Sequence, residues 1–362
     1  MKPQILTNLS PAQLATTLGN LGHRSFRAKR LSRYVFAEGL NNFEAMSEIA
    51  RELRSQLQHL FHIPQLTLEK HQKSKDGTEK FLFRLSDARL IESVFIPDVG
   101  KKKGKGTLCV SSQAGCAMAC TFCLTGYAGL LRHLETWEIV EQYRFVLQAV
   151  RRPITHMVFM GMGEPLHNLE NVLRAIEIFS DPHGAGLSER KITVSTSGLV
   201  PAMKKLAEQS KALIAVSLNA PNNAIRNAIM PVNKTYPIEM LLQAIEDLPL
   251  KKKQSVFLEY VLIEGVNDQP HHAHELAGLL AHMKNIKLNL IPFNPNPLSD
   301  YRRPQQAHTF AFLEILKNAK FSVSIRQTRG DDGLAACGQL TGDSGTFLKS
   351  VTRSGASEVV KR

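Results

Sequence analysis

The sequence predicts an α/β protein built on a parallel sheet, open or closed into a barrel, with a small helical domain ahead of it and a short accessory β segment between them. Three observations carry that expectation. Residues 1–65 show helical spacing, residues 66–106 turn strand-like, and from Thr107 onward apolar strand-like runs alternate with helical patterns.

Ser10-Pro11 opens the first helix, with a cap and then a Pro in the first turn. A second helical stretch, Arg24 to Ala37, carries Arg24, Arg27, Lys29, Arg30 and Arg33. A third, Met46 to Phe61, places Ile49, Leu53, Leu57 and Leu60 at helical spacing. Phe81–Leu85 and Ile91–Pro97 read as a small strand pair. The Lys/Gly stretch from Gly100 to Gly106 breaks the chain and reads as a mobile loop. The strands of the parallel sheet are expected at Leu108–Ser111, Thr155–Met160, Lys191–Ser195, Leu213–Leu218, Val256–Ile263, Lys287–Ile291 and Ser322–Ile325. Helices between them are expected at Thr136–Ala149, Asn168–Phe179, Pro201–Glu208, Pro237–Asp247, His271–Met283 and Pro304–Ala319. The resulting division is 1–65 helical, 66–106 accessory, 107–345 the β/α unit and 346–362 a polar, loose tail.

Composition narrows the class. The 362 residues suffice for one large domain and something smaller. A hydrophobic content of 43% with 21% charged residues suits a globular protein. No apolar run long enough for a membrane span occurs, and the N-terminus lacks the apolar core of a signal peptide, which predicts a cytoplasmic protein. The net charge of +13 implies either a polyanionic partner, nucleic acid being the usual one, or a basic but inert surface.

Four strand candidates end in unusual residues. Met160 leads into Gly161-Met162-Gly163-Glu164-Pro165, Val194 into Ser195-Thr196-Ser197-Gly198, Val216 into Ser217-Leu218-Asn219, and Ile291 into Pro292-Phe293-Asn294. One such end is ordinary strand-to-helix turn chemistry. Four together describe the rim of one site, because parallel α/β folds bind their ligands at the C-terminal ends of strands.

The five cysteines are Cys109, Cys116, Cys120, Cys123 and Cys337. An odd count in a cytosolic-looking chain argues against a disulfide framework and for metal or redox chemistry. Cys116, Cys120 and Cys123 have the spacing C-x3-C-x2-C, which can hold three corners of an iron–sulfur cube and leave one iron open to a substrate. A zinc site completed by Cys109 or a distant His is the competing reading of the spacing.

The C-x3-C-x2-C loop after the first parallel strand, with Gly161-Met162-Gly163-Glu164-Pro165 after the second, resembles the radical S-adenosylmethionine superfamily. Leu108 to Cys116, Phe159 to Leu166, Asn289 to Pro295 and Thr328 to Asp332 with Ala335 to Leu340 are similar to the RlmN family within it, the adenine-C2 RNA methyltransferases. These motifs run in order across nearly the whole chain.

The resemblance implies a partial, TIM-like (βα)6 barrel. It assigns a four-iron, four-sulfur cluster to Cys116, Cys120 and Cys123, and S-adenosylmethionine contacts to Gly163, Glu164, Ser195, Ser217, Leu218, Asn219 and Asn294. It assigns Cys337 as the cysteine that is itself methylated, Cys109 as the thiol that later forms a transient disulfide with it, and Glu92 as the proton acceptor. From the residues alone, Glu92 reads as a surface strand residue and Cys337 as a small buried hydrophobe. Two S-adenosylmethionine molecules per turnover, 23S rRNA and tRNA as substrates, a flavodoxin-type electron donor and a monomeric state are implied likewise. The basic helix at Arg24–Arg33, Lys101–Lys105, Lys251–Lys253 and Arg302-Arg303 are candidate phosphate contacts.

The chain departs from the family pattern at Leu124, Asn219 and Gly333-Leu334. Two rival functions stand beside the main one. The first is the related methylation at C8 of the same rRNA adenosine, against which Glu164-Pro165 and Phe293-Asn294-Pro295 speak. The second is a non-catalytic, zinc-stabilised RNA-binding module.

Overall fold

The computed structural model describes residues 3–98, 104–251 and 254–342. The candidate loop lysines at 101–103, Lys252, Lys253 and the expected tail lie outside the described residues.

The helical N-terminal part comprises β1 (Gln4–Ile5), α1 (Pro11–Asn20), α2 (Ser25–Ser32), α3 (Arg51–Leu60) and β2 (Phe61–His62), with β1 and β2 paired in parallel. Ser10 and Gln13 form a reciprocal capping box at the start of α1. The second helix is shorter than its periodicity suggests: α2 stops at Ser32 and runs on as a π-turn over Arg33–Ala37. The third begins at Arg51 rather than Met46, because Met46 and Ile49 are buried from a loop that follows the 3-10 turn Phe43–Ala45. Arg144 on α5 (Thr136–Val150) is fully buried and donates to the carbonyls of Val35 at 2.8 Å and Leu40 at 2.9 Å. That contact fastens the helical part to the rest, and one apolar cluster runs from Leu6 to Leu340.

The accessory segment has three strands where two were expected: β3 (Thr67–Lys73), β4 (Glu79–Arg84) and β5 (Leu90–Pro97), antiparallel throughout. β3 is an exposed edge strand of polar residues and shows no apolar alternation. The parallel series follows in the expected order, as β6 (Gly106–Cys109), β9 (Ile154–Phe159), β10 (Ile192–Thr196), β11 (Leu213–Ser217), β12 (Val256–Leu262), β13 (Ile286–Pro292) and β14 (Val323–Ile325). Between β6 and α5 lie a hairpin of β7 (Gln113–Gly115) with β8 (Leu130–His133) and the short α4 (Leu124–Tyr127). The outer helices are α5, α6 (Leu169–Ser180), α7 (Val200–Gln209), α8 (Asn223–Ile229), α9 (Ile238–Glu246), α10 (Pro270–Leu279) and α11 (Gln306–Asn318).

All these strands except β1, β2, β7 and β8 form one ten-stranded sheet in the order β14-β13-β12-β11-β10-β9-β6-β5-β4-β3. The question left by the pattern is therefore answered: the barrel is open, with β14 at one edge and the antiparallel strands continuing beyond β6 at the other. After β14 the chain returns across the open side and straps onto the accessory strands. Gly330 N–H donates to Asp76 Oδ2 at 3.1 Å, Lys75 N–H to Asp332 Oδ2 at 3.1 Å and Lys80 Nζ to the Leu334 carbonyl at 3.1 Å. No helix among the described residues is long and apolar enough to cross a membrane.

Candidate active site

The cysteine loop is fastened at both ends by backbone. Cys116 N–H donates to the Gly129 carbonyl at 2.8 Å, and Thr121 N–H to the Ile229 carbonyl at the end of α8 at 3.1 Å. Gly115 has φ +75°, and a Cβ there would lie 1.9 Å from the Gly129 oxygen, so only glycine lets the hairpin close on the loop. Cys123 caps α4, and Leu124, the departure from the family pattern, is fully buried and donates its N–H to the Gly338 carbonyl at 2.8 Å. The cluster loop is thus tied to the segment that carries Cys337.

Cys116, Cys120 and Cys123 line one cavity that opens to solvent. Gly163, Glu164, Ser195, Ser217, Asn219, Asn294 and Cys337 line it as well, so the four strand ends do meet. Leu218 does not. Its side chain is fully buried, and it contributes backbone, donating to the Glu259 carbonyl at 3.0 Å. Glu164 is already engaged, its carboxylate accepting from Leu166 N–H at 3.0 Å and Ser197 N–H at 2.7 Å. Gly161 and Gly163 keep this strand end bare, since a Cβ would meet the Val110 carbonyl at 2.7 Å or the Gln113 side chain at 2.4 Å. Asn219 adopts φ +57°, a left-handed conformation that Asn tolerates, and its Oδ1 accepts from Val261 N–H at 2.8 Å. Asn294 donates to the Cys337 carbonyl at 3.1 Å and accepts from Arg303 at 2.7 Å, so it anchors the Cys337 segment.

Burial raises all three loop thiols, Cys116 to about 12. Thiols held protonated in this way become thiolates when a metal replaces the proton. The wall they share also carries two buried atoms without a hydrogen-bond partner, Ser197 Oγ and Glu259 Oε2. Three soft donors beside unsatisfied polar atoms fit an iron–sulfur cluster with a polar cosubstrate next to it.

A second cavity adjoins the first. Cys109 lines it together with Val94, Ile96, Thr107 and Val158, and Cys337, Met160, Ile291, Asn294 and Arg326 line both. Cys337 therefore stands in the shared wall, half-buried rather than the buried hydrophobe its residue type suggested. Burial lifts Cys109 to about 12, the nearby Cys337 charge adds to this, and Arg326 opposes it. All five cysteines are free thiols. The Cys109–Cys337 disulfide implied by the resemblance is not formed in this structure.

Glu92 corrects the reading of its residue type, for it is 1% exposed rather than on the surface. It lines neither cavity; its Oε2 accepts from Thr341 N–H at 2.8 Å and its Oε1 lies 3.1 Å from Lys80 Nζ. The basic candidates divide. Arg30 and Arg33 are paired with Glu48 and Glu38, while Arg24 and Lys29 are exposed. Arg303 turns inward, donating to the Phe293 carbonyl at 2.8 Å and to Asn294 Oδ1 at 2.7 Å. Lys251 lies ahead of β12, at the end of the sheet away from the cysteines.

Three residues of the site went unnoticed in the sequence. Glu259 is a charge inside an otherwise apolar strand, which is a usable signal. Arg326 follows directly on β14 and obeys the strand-end rule applied to the other four. Arg226, on a helix that periodicity did not reveal, gives no such signal.

Comparison with known proteins bears on the whole chain. Residues 110–277 match the model of the radical SAM superfamily, and residues 5–63 that of the ribosomal RNA large subunit methyltransferase N-terminal domain. The chain is 43% identical over 347 residues to the dual-specificity RNA methyltransferase RlmN of Syntrophobacter fumaroxidans, covering 95% of this chain and 100% of that one. It is 44% identical to that of Marinobacter nauticus, covering 93% and 92%. Among solved structures, a radical SAM methyltransferase from Sphaerobacter thermophilus aligns with a TM-score of 0.87 at 37% identity, over 94% of this chain and 100% of that one.

Proposed function

The chain belongs to the RlmN family of radical S-adenosylmethionine RNA methyltransferases, and we propose that it methylates C2 of an adenosine in 23S rRNA and in tRNA through a methyl group carried on Cys337. Membership brings the four-iron, four-sulfur cluster and S-adenosylmethionine with it and leaves no room for a zinc-stabilised, non-catalytic reading. The observation that carries the proposal is the place of Cys337, in the wall between the cavity of the three loop cysteines and the cavity of Cys109.

Adenine C2 is an electron-poor carbon, so a polar methyl transfer to it fails, and a carrier residue between the two cavities answers that difficulty. Cys337 takes a methyl group by displacement from one S-adenosylmethionine, its thiol proton leaving. Held by Cys116, Cys120 and Cys123, the cluster with a second S-adenosylmethionine would supply the one-electron chemistry, both the removal of a hydrogen atom from that methyl and the uptake of the unpaired electron that remains once the adduct has lost its C2 proton. The carbon on Cys337 then bonds to C2 of the base in the Cys109 cavity. Glu92, two residues along β5 from the cavity residue Val94 and behind the cavity wall, is the final acceptor of the C2 proton, which reaches it through an intervening water. Cys109 attacks the Cys337 sulfur and the bond from that sulfur to the carried carbon breaks, the Cys109 thiol proton passing to the carbon; the methylated base is freed, and an external reductant must reopen the transient disulfide.

In this reading residues 1–65 hold RNA, 66–106 support the methyl-carrier strap, and 107–345 form the catalytic unit. A target base inside folded RNA is extruded to reach the cavity. A flavodoxin-type donor, a monomer and a cytoplasmic setting complete the proposal.

Mass spectrometry of anaerobically purified protein tests the reading. A peptide with S-methyl-Cys337 and a product methylated at C2 are expected. A methyl at C8 moves the chain to the related C8 activity, and an unmodified Cys337 in active enzyme rejects the carrier.

A further inference from the structure

Two arginines of the described residues are buried to 2% exposure or less, and they differ in company. Arg144 forms an ion pair with Glu141. Arg226, on α8, is 0% exposed and donates to five oxygens, none of them a carboxylate. Its Nε reaches the Leu218 carbonyl at 3.0 Å, Nη1 reaches Asn233 Oδ1 at 2.9 Å and the Tyr236 carbonyl at 3.3 Å, and Nη2 reaches the carbonyls of Ser197 at 2.8 Å and Ser217 at 3.0 Å. Its hydrogen bonds are satisfied and its charge is not. A buried cation without an anion is costly even when fully hydrogen-bonded.

The position of the residue says where the anion comes from. Ser197 and Ser217 line the cavity that holds the three loop cysteines. The helix that carries Arg226 ends at Ile229, whose carbonyl accepts the N–H of Thr121, next to Cys120. Burial pulls the guanidinium down to about 10, and the one charge opposing this is that of Cys120. A cluster held by three thiolates is an anion, and reduction adds one more negative charge to it.

We propose that Arg226 is the buried counter-charge of the cluster on Cys116, Cys120 and Cys123, and that its hydrogen bonds to the Ser197, Ser217 and Leu218 carbonyls tie the two strand ends of the cosubstrate rim to the helix whose last carbonyl holds the cluster loop. The proposal rests on the cluster assignment above. Arg226 is a positioning residue with two separable parts. Its charge stabilises the reduced cluster, because net charge and burial set the potentials of such centres. Its fork holds the backbone at Ser197, Ser217 and Leu218.

The test is a spectroelectrochemical titration of the anaerobically purified holoprotein and of Arg226→Gln and Arg226→Lys, with iron content measured alongside. Arg226→Gln is expected to weaken the reduced state about tenfold, a midpoint about 59 mV more negative for one electron. Arg226→Lys keeps the charge and loses the fork, so its midpoint stays at the wild-type value. Its cluster spectrum responds to S-adenosylmethionine only at higher concentration. A wild-type midpoint in iron-loaded Arg226→Gln overturns the proposal, as does an equal shift in Arg226→Lys. If Arg226→Gln retains no iron, Arg226→Lys decides: an intact cluster at the wild-type midpoint supports the counter-charge, and a lost or shifted cluster overturns it. Wild-type protein without iron and sulfide would instead refute the cluster assignment itself.

Discussion

Lys80 Nζ lies 3.1 Å from Glu92 Oε1, with the two side chains 5% and 1% exposed. The pair does more than neutralise itself. Lys80 also holds the Leu334 carbonyl, and the other Glu92 oxygen holds the backbone at Thr341. Both ends of the strap that carries Cys337 therefore hang on one buried ion pair. Lys80→Met leaves a buried carboxylate without its partner, and breaking such a pair costs about 3–5 kcal/mol. Urea denaturation should show a loss of that order, with part of it recovered in the Lys80→Met/Glu92→Gln double variant. Additive effects in the double-mutant cycle would mean that the two residues act independently.

In the proposed sequence of steps Cys109 releases the product and does not start the reaction. Cys109→Ala should therefore accumulate a covalent RNA–protein species, visible as an RNA-shifted band in denaturing gels. Normal turnover with no such species would remove Cys109 from the proposed sequence of steps.

The parallel sheet was legible because its signal is local. Buried runs such as Val256–Leu262 alternate with amphipathic helices such as Leu169–Ser180, and each can be read within a dozen residues. The cysteine loop was legible from spacing, and the rim from strand ends. What stayed hidden depends on distant partners. β3 is polar and exposed and is a strand only because β4 lies beside it. The residues at Asn223–Ile229 make too short a helix for periodicity to register. Glu92 could not be recognised as buried, since the lysine and backbone that bury it are supplied by β4 and by a segment about 250 residues away.

Gly115 offers a direct test of how tightly the cluster loop is held. Gly115→Ala puts a methyl group 1.9 Å from the Gly129 oxygen at φ +75°, and the hairpin must move to relieve it. Iron per chain after anaerobic purification should fall by about half or more. Gly129→Ala serves as a control, because a Cβ at Gly129, also at positive φ, meets nothing within 4 Å. Full iron in Gly115→Ala would show that the loop does not depend on the hairpin.

RNA binding should show its electrostatic footing on α2 and its flank. Arg30 and Arg33 are already paired with acidic side chains, which leaves Arg24, Arg27 and Lys29 for phosphates. Replacing these three by Gln should weaken tRNA binding and lower the slope of log affinity against log salt by about three contacts' worth. An unchanged slope would move the phosphate contacts elsewhere on the chain.

The Cys109 thiol gives a pH dependence with a definite sign. Burial lifts it from 9.0 to about 12, so the folded chain keeps this proton at a pH where the unfolded chain has lost it. Its contribution to stability is fully present below pH 9 and disappears as pH rises through about 12. The three-unit difference corresponds to at most about 4 kcal/mol. Other groups titrate in the same window, so the informative quantity is the difference between wild type and Cys109→Ala, measured by anaerobic urea denaturation at matched pH. The wild type should lose stability faster than the variant above about pH 9, the ordinary range of a free thiol. Arg326→Met should extend the loss to higher pH without steepening it, because Arg326 is the cation that favours the Cys109 thiolate in the folded state. Parallel curves for wild type and Cys109→Ala would show that the thiol is hydrated, and that the second cavity admits water to Cys109 before any base enters it.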